Sequence, residues 1–460
     1  MSFIRIPHRL AGKQRQDVDM TEGNIFQHII VFALPLLIGN LFQQLYNTVD
    51  TWVVGNYASN EAYSAVGTVG PIINMLIGFF TGLSSGAGVV ISQYYGAGQR
   101  EKVQQTVHTA IVMTLVLGVL FTVVGIVMIP FMLNLMKMPA EVIPEATTYL
   151  TIYFAGVMGL MLYNIGAGIL RAVGDSTRPF YYLVVCALLN IVLDFALVFK
   201  LGVAGVAYAT IISQGVSALL VIRSLMRTDS CIKITFSRLR IHWDMLRKIF
   251  AVGIPAALQL AVTAFSNIFV QSYINYFGPN CMSGWTTYTK VDQLLFLPMQ
   301  SISLAATTFV GQNLGKNQPQ RARKGVTIAL LLSVCSTVLL MIPVIGFAKP
   351  VASFFNDDPA VLEYATLFLR CLTPFYVLCC ANQVYAGALR GAGNATAPMV
   401  IMLCSFVAFR QIYLFFMSRI CNEILPISMA YPAGWLLCSA ITAIYYYTVR
   451  LEKNRLVEDK

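Results

Sequence analysis

Val31-Phe-Ala-Leu-Pro-Leu-Leu-Ile-Gly-Asn-Leu-Phe-Gln-Gln-Leu-Tyr-Asn-Thr-Val-Asp-Thr-Trp52 is the stretch whose reading decides the fold. A helix needs roughly 20 predominantly apolar residues to cross a bilayer, and this run supplies them. It nevertheless carries a proline, Pro35, and a carboxylate, Asp50. Gln43, Tyr46, Asn47 and Asp50 recur at helical spacing and share one face. A charge at the centre of a bilayer costs roughly 3 kcal/mol or more, so such a residue is expected to face a polar interior or a pathway.

The rest of the chain has the same character. Of its 460 residues 57% are hydrophobic and only 11% are charged. A soluble domain carries about 25% charged residues, so the composition implies an integral membrane protein. Its spans are expected to be helices, because the alternating short strands of a membrane barrel are absent. The net charge of +11 does not form the basic domain that a nucleic-acid partner would need. It falls in the short breaks between apolar runs, as the positive-inside bias requires.

About twelve spans follow from the apolar runs, at roughly 26–52, 62–94, 104–132, 146–170, 179–200, 203–226, 246–277, 285–312, 322–348, 361–389, 396–418 and 425–448. The first 24 residues carry Arg5, His8, Arg9, Lys13, Arg15 and Asp17 and no apolar core of their own, so they read as a cytoplasmic tail. Alternate breaks are basic, with Arg171 and Arg178 in the fourth, seven Lys and Arg in the sixth and Arg390 in the tenth. With both tails included, these breaks hold twenty-four Lys and Arg, whereas the opposite breaks hold Lys137, Lys200, Lys349 and Arg419. Both termini are therefore expected in the cytoplasm.

The two halves repeat. Pro35 and Pro255 open matching helices, and at the same offset Asn47 meets Asn267. Ser92-Gln-Tyr-Tyr-Gly-Ala-Gly-Gln answers Gly311-Gln-Asn-Leu-Gly-Lys-Asn-Gln. Gly168-Ile-Leu-Arg-Ala-Val-Gly-Asp-Ser-Thr-Arg-Pro179 answers Gly387-Ala-Leu-Arg-Gly-Ala-Gly-Asn-Ala-Thr-Ala-Pro398. An even number of spans separates the copies, so they are parallel repeats with a substrate cavity expected between them. The domains are then a tail at 1–24, a six-helix bundle at 25–226, a basic linker at 227–245, a second bundle at 246–448 and a tail at 449–460. The linker reads as a solvated connector whose Lys and Arg suit anionic lipid headgroups.

Nine of the ten cysteines lie at Cys231 or later, mostly inside apolar runs, where they act as small hydrophobes. No paired CxxC spacing indicates a metal site or a disulfide frame. No phosphate loop and no nucleophile–base set stands out, so neither an enzyme nor a nucleotide-driven pump is indicated.

The chain resembles the multidrug and toxic compound extrusion (MATE) transporters. Leu170-Arg-Ala-Val-Gly-Asp-Ser-Thr-Arg-Pro179 with its twin at 389–398, Asn190-Ile-Val-Leu-Asp194 and Gly205-Val-Ala-Tyr-Ala-Thr-Ile-Ile-Ser-Gln214 carry the resemblance, together with Pro35, Asp50 and the turn at 93–98. It covers the whole chain. It implies an all-α polytopic protein in which two bundles form a V and export amphipathic, often cationic compounds against an inward H⁺ or Na⁺ gradient. It also implies a monomer with no cofactor, and a coupling site mapping to Asp50, Asn190 and Asp194, with Thr210 and Asn164 as neighbours. One branch of the family places carboxylates on the seventh and tenth helices. Here those regions read Leu260-Ala-Val-Thr-Ala-Phe265 and Cys379-Cys-Ala-Asn-Gln-Val384, without carboxylates.

Asn190 and Asp194 are one helical turn apart and share a face. Two buried carboxyls cannot both ionise cheaply, so Asp50 and Asp194 are suited to share a proton. The same oxygens, joined by Asn and Thr, would also suit Na⁺. Asp50 corresponds to Val270 in the second copy, which confines coupling to the first bundle. Gln43, Tyr46, Asn47, Tyr153, Met161, Tyr163, Asn267 and Tyr288 are the expected cavity residues, because aromatic and Met surfaces suit loosely specific binding of flat cations. Gln259, Thr263, Ser266, Asn267 and Gln271 form a polar stripe equally suited to helix contact or substrate. Lys290 and Asp292 read as structural ion-pairing groups, and Arg410 as a structural arginine. A competing reading is a lipid-linked oligosaccharide flippase, whose cavity would be rich in Arg and Lys; the cavity-side charge here is expected to be acidic in the first half.

Overall fold

A computed structural model describes residues 18–136 and 138–457. Arg5, Arg9, Lys13, Arg15, Asp17, Lys137 and Lys460 lie outside the described residues. Among the described residues twelve helices are long and apolar enough to cross a bilayer. They are α1 Ile25–Tyr57, α2 Asn60–Gly96, α3 Arg100–Leu135, α4 Ile143–Ala172, α5 Thr177–Leu201 and α6 Val203–Arg227 in the first half. The second half holds α7 Trp243–Asn275, α8 Pro279–Gly315, α9 Pro319–Gly346, α10 Pro359–Gly391, α11 Thr396–Ile420 and α12 Ile424–Thr448. No strand occurs among the described residues.

Local sequence explains the helix ends. Asn24 accepts a hydrogen bond from the Gln27 amide and Ser59 from that of Ala62, satisfying orphan donors at the starts of α1 and α2. The turn after α2 needs a left-handed residue, supplied by Gly98 at φ +70°; the equivalent turn after α8 uses Asn317 at φ +59°. Three spans of the second half are irregular. A 3₁₀ turn at Thr373–Phe375 breaks α10 beside Pro374, and a π turn at Leu403–Phe409 interrupts α11 just before Arg410. Helix α12 breaks at Met429 and restarts at Ala430, two residues before Pro432. The apolar count alone reads each as a continuous span.

The basic ends of the helices, where both ends of the described chain lie, form one face of the molecule. At this basic face the halves are not packed as separate blocks. Ile29, Phe32, Ala33 and Leu36 of α1 belong to a core made by α8 and α9, with Phe309 and Val326. Reciprocally, Met245 and Ile249 of α7 belong to a core made by α2 and α3, with Val90 and Val107. The first helix of each half therefore crosses to the other bundle before returning to its own, where Val53 packs in one core and Val270 in the other. The 227–245 segment is also more embedded than a solvated connector. Ile232 and Ile234 are buried, Thr235 donates its amide to His108 Nε2 at 3.1 Å and His242 its amide to Thr109 Oγ1 at 3.0 Å. Lys233, Arg238 and Arg240 stay exposed.

Candidate coupling site and central cavity

Asp50 enters the first bundle from α1, opposite Asn190 and Asp194 on α5. All three are buried, Asp194 completely. The Asp50 and Asp194 carboxyls face each other closely enough for a direct hydrogen bond when one carries a proton. Among the described residues no protein group bonds either Asp194 oxygen, one Asp50 oxygen, or either polar atom of the Asn190 amide. Buried polar groups are nearly always paired, so these five atoms leave hydrogen-bonding capacity in the first bundle that the fold itself does not use. Tyr46, Tyr149 and Tyr153 lie within electrostatic reach of Asp50. Tyr46 and Tyr153, expected on the cavity wall, thus surround the carboxyl pair instead; Tyr149 had no spacing signal to single it out. Thr210 is buried on α6 with its hydroxyl donated to the Val206 carbonyl at 3.0 Å.

Between the bundles lies a cavity of about 580 Å³, a size typical of small-molecule sites. Gln43, Tyr163 and Asn267 line it, and so does Asn164, which was expected at the ion site. Met161 and Tyr288 are buried within the first and second bundles respectively, and Asn47 is exposed on α1; none of the three is on this wall. Gln259, Thr263 and Asn267 of the polar stripe reach the cavity. The same stripe also holds α11, through Gln259 Nε2 to Met402 Sδ at 2.7 Å and Ser266 Oγ to the Phe406 carbonyl at 2.6 Å.

The charge on this wall differs from the acidic one expected. Asp50 and Asp194 sit inside the first bundle, and the only charged residues among those lining the cavity are Arg171 and Arg390. The positive-inside pattern reads both as loop charges. They lie instead in the last turns of α4 and α10, at equivalent positions of the two halves. Their place inside the repeated motif at 168–179 and 387–398 was the available signal.

Immediately below these arginines the bundles lock together. Gln93 of α2 donates Nε2 to the Gly391 carbonyl at 2.9 Å, and Gln312 of α8 donates Nε2 to the Ala172 carbonyl at 2.9 Å. Their side-chain oxygens accept from the Leu456 and Met20 amides, at 2.8 and 2.9 Å. The segments around Met20 and Leu456 thus brace the lock. Lys316 adds bonds to Thr21 and Glu22, and the Glu22 bond holds the exposed ammonium above the ordinary lysine value. A Cβ on Gly96 would lie 1.9 Å from the Gln312 carbonyl oxygen, and one on Gly315 2.0 Å from that of Gln93. Only glycine permits this approach.

The second bundle holds a different carboxyl. Tyr376 donates its hydroxyl to Asp292, and Tyr288 and Tyr376 hydroxyls are 2.9 Å apart. Lys290 is exposed, with its ammonium 5.9 Å from the Phe355 ring, and no ion pair among the described residues includes it or Asp292. The ion-pairing expectation for these two is therefore corrected: the Tyr376 hydroxyl bonds the half-buried Asp292 carboxyl and the lysine is exposed. Arg410 is buried, donates Nη1 to Asn267 Oδ1 at 2.9 Å, and stacks over Tyr431 at 4.3 Å. It thereby fixes Asn267 on the cavity wall.

A family model described as MatE matches the chain twice, over residues 35–196 and 255–414, one match in each half. A probable multidrug resistance protein of Bacillus subtilis (strain 168), YpnP, is 26% identical over 444 residues, 96% of this chain and 99% of its own length. An FAD transporter of Shewanella oneidensis is 25% identical over 390 residues, 82% of this chain and 85% of its own. A solved structure described as the outward-facing conformation of a multidrug resistance MATE family transporter shares the fold, with a TM-score of 0.89 at 23% identity. It covers 95% of this chain and 98% of that one.

Proposed function

Because this chain belongs to the MatE family, whose members are multi-pass membrane transporters and not enzymes, we propose that it is a secondary antiporter exporting amphipathic small molecules in exchange for inward protons. The similarity to a probable multidrug resistance protein supports an export role. The basic face is taken as cytoplasmic, on the strength of the Lys and Arg bias, with the exposed linker cations against anionic headgroups. Cavity, bundles and carboxyl pair all belong to one chain, so this reading needs no partner subunit. No bound cofactor enters it.

The facing Asp50 and Asp194 carboxyls carry the proposal. Sharing a proton removes one buried charge, and releasing it leaves two, so occupancy changes the energy of the first bundle steeply. Helix α1 transmits that change because its basic half packs on the second bundle while Asp50 sits in the first. Pro35 lies near the end of the segment that packs on the second bundle, ahead of the one that carries Asp50. It removes one helical hydrogen bond and so provides the place where α1 bends. Bending would shift one bundle against the other and expose the cavity alternately to each side. Na⁺ is the second reading, favoured by the orphaned Asn190 oxygen beside the carboxyls.

Reconstituted vesicles test this. A pH gradient, acid outside the basic face's compartment, is expected to drive dye movement, and an Na⁺ gradient at equal pH is not. Asp50→Asn and Asp194→Asn should each abolish gradient-driven flux and leave dye binding intact. Normal driven flux in both variants would remove the coupling assignment.

A further inference from the structure

The central cavity offers two guanidinium groups and no carboxylate. Arg171 comes from the first bundle and Arg390 from the second. Among the described residues no acidic side chain pairs with either one. Arg390 makes one long contact, Nη2 to Ser303 Oγ at 3.5 Å, and that hydroxyl is itself donated to the Gln383 carbonyl at 2.6 Å. Arginine stays charged and presents five donors in a fixed fork that matches carboxylate and phosphate. An arginine also suits the last turn of a helix. That role is served as well by a side chain in solvent, and does not require both copies to face one cavity.

We infer that the cavity is built for amphipathic organic anions, with an oxyanion (carboxylate or phosphate) held between Arg171 and Arg390. This deepens the export reading and rests on the cavity being its transport path. The apolar body of the ligand lies against Leu36, Phe180, Leu183, Leu260 and Met402, which line the same space. A bulky cation would meet two like charges in a low-dielectric pocket, which disfavours it. The arginines stand on opposite bundles directly above the Gln93–Gln312 lock, so an oxyanion touching both favours the state in which the lock is shut.

Fluorescein and rhodamine 6G test this, because they share a flat xanthene ring and differ in the sign of charge. In phosphatidylcholine nanodiscs the wild-type protein is expected to bind fluorescein at least about tenfold tighter than rhodamine 6G. Arg171→Gln and Arg390→Gln should each weaken fluorescein about tenfold, the Lys variants less, and added salt should weaken the wild type. AMP should compete with fluorescein, showing that phosphate serves as well as carboxylate. Repeating the titration in phosphatidylglycerol separates the sources of the oxyanion: loss of fluorescein binding there points to a lipid headgroup, and unchanged binding to a free solute. Tighter binding of rhodamine 6G by the wild type would overturn the inference without any variant. So would unchanged fluorescein affinity in both Gln variants with wild-type elution and melting. Arg-dependent fluorescein binding with no driven flux would remove only the export reading; driven flux of rhodamine 6G with no response to fluorescein would remove only this one.

Discussion

Gln93 and Gln312 stand at equivalent positions of the two halves and each bonds a carbonyl of the opposite half at 2.9 Å. Each also accepts the amide of a terminal segment, so all four bonds are buried or nearly so and every partner belongs to another part of the chain. Gln93→Leu leaves the Gly391 carbonyl and the Leu456 amide without their partners, at about 1–3 kcal/mol for each orphan. Hydrogen exchange is expected to rise at 454–457 in that variant and at 18–22 in Gln312→Leu. Unchanged protection at both ends would mean that the lock contributes little to closure.

Gly96→Ala is expected to block closure at the basic face, since its Cβ would overlap the Gln312 backbone, which cannot swing away as a side chain can. Driven flux should fall by roughly an order of magnitude or more while the protein still folds. Gly67→Ala serves as the control, because nothing lies within 4 Å of that position. Equal flux in the two variants would refute the close-contact argument.

Tyr376→Phe removes the donor to Asp292 and the hydroxyl partner of Tyr288. The cost is about 1–3 kcal/mol, read as a lower melting temperature. If the proposed coupling through Asp50 and Asp194 holds, the number of protons exchanged per dye should not change, because that pair lies in the first bundle. An altered stoichiometry would bring the second bundle into the coupling mechanism.

Arg410→Lys keeps the charge and loses both the planar stack on Tyr431 and the guanidinium geometry toward Asn267. Stability should drop by about 1–2 kcal/mol. Dye affinity should change by a few-fold, because Asn267 is freed on the wall. A change in affinity with no loss of stability would instead place Arg410 in direct contact with the ligand.

Much of this architecture is legible in the sequence. Span length and hydropathy are set by the bilayer, and the repeat shows up as Pro35 with Pro255 and as paired motifs, so twelve spans in two halves follow directly. Asp50 and Asp194 stand out because a carboxylate in an apolar run has few innocent explanations. Arg171 and Arg390 do not stand out, since an arginine at a helix end satisfies the positive-inside pattern whether it faces headgroups or a cavity. Periodicity gives Tyr46 a face and aromatic character makes Tyr153 a candidate for the wall, but neither says which neighbour fills the space beside it. The crossing of α1 and α7 depends on contacts between residues as distant in the chain as Ile29 and Phe309, or Ile249 and Val107, which no local pattern encodes.

That crossing bears on how the molecule is made. Ile29 and Phe32 emerge from the ribosome long before Phe309 and Val326, the side chains that cover them. During synthesis the leading helix must wait in lipid or beside an insertion factor with that surface uncovered. The first six helices alone therefore leave an unfinished seam, and the bundle becomes complete only when α8 and α9 arrive. A chain truncated after the linker would carry the carboxyl pair and still present that seam to membrane proteases, so degradation of such fragments should outpace that of the full chain.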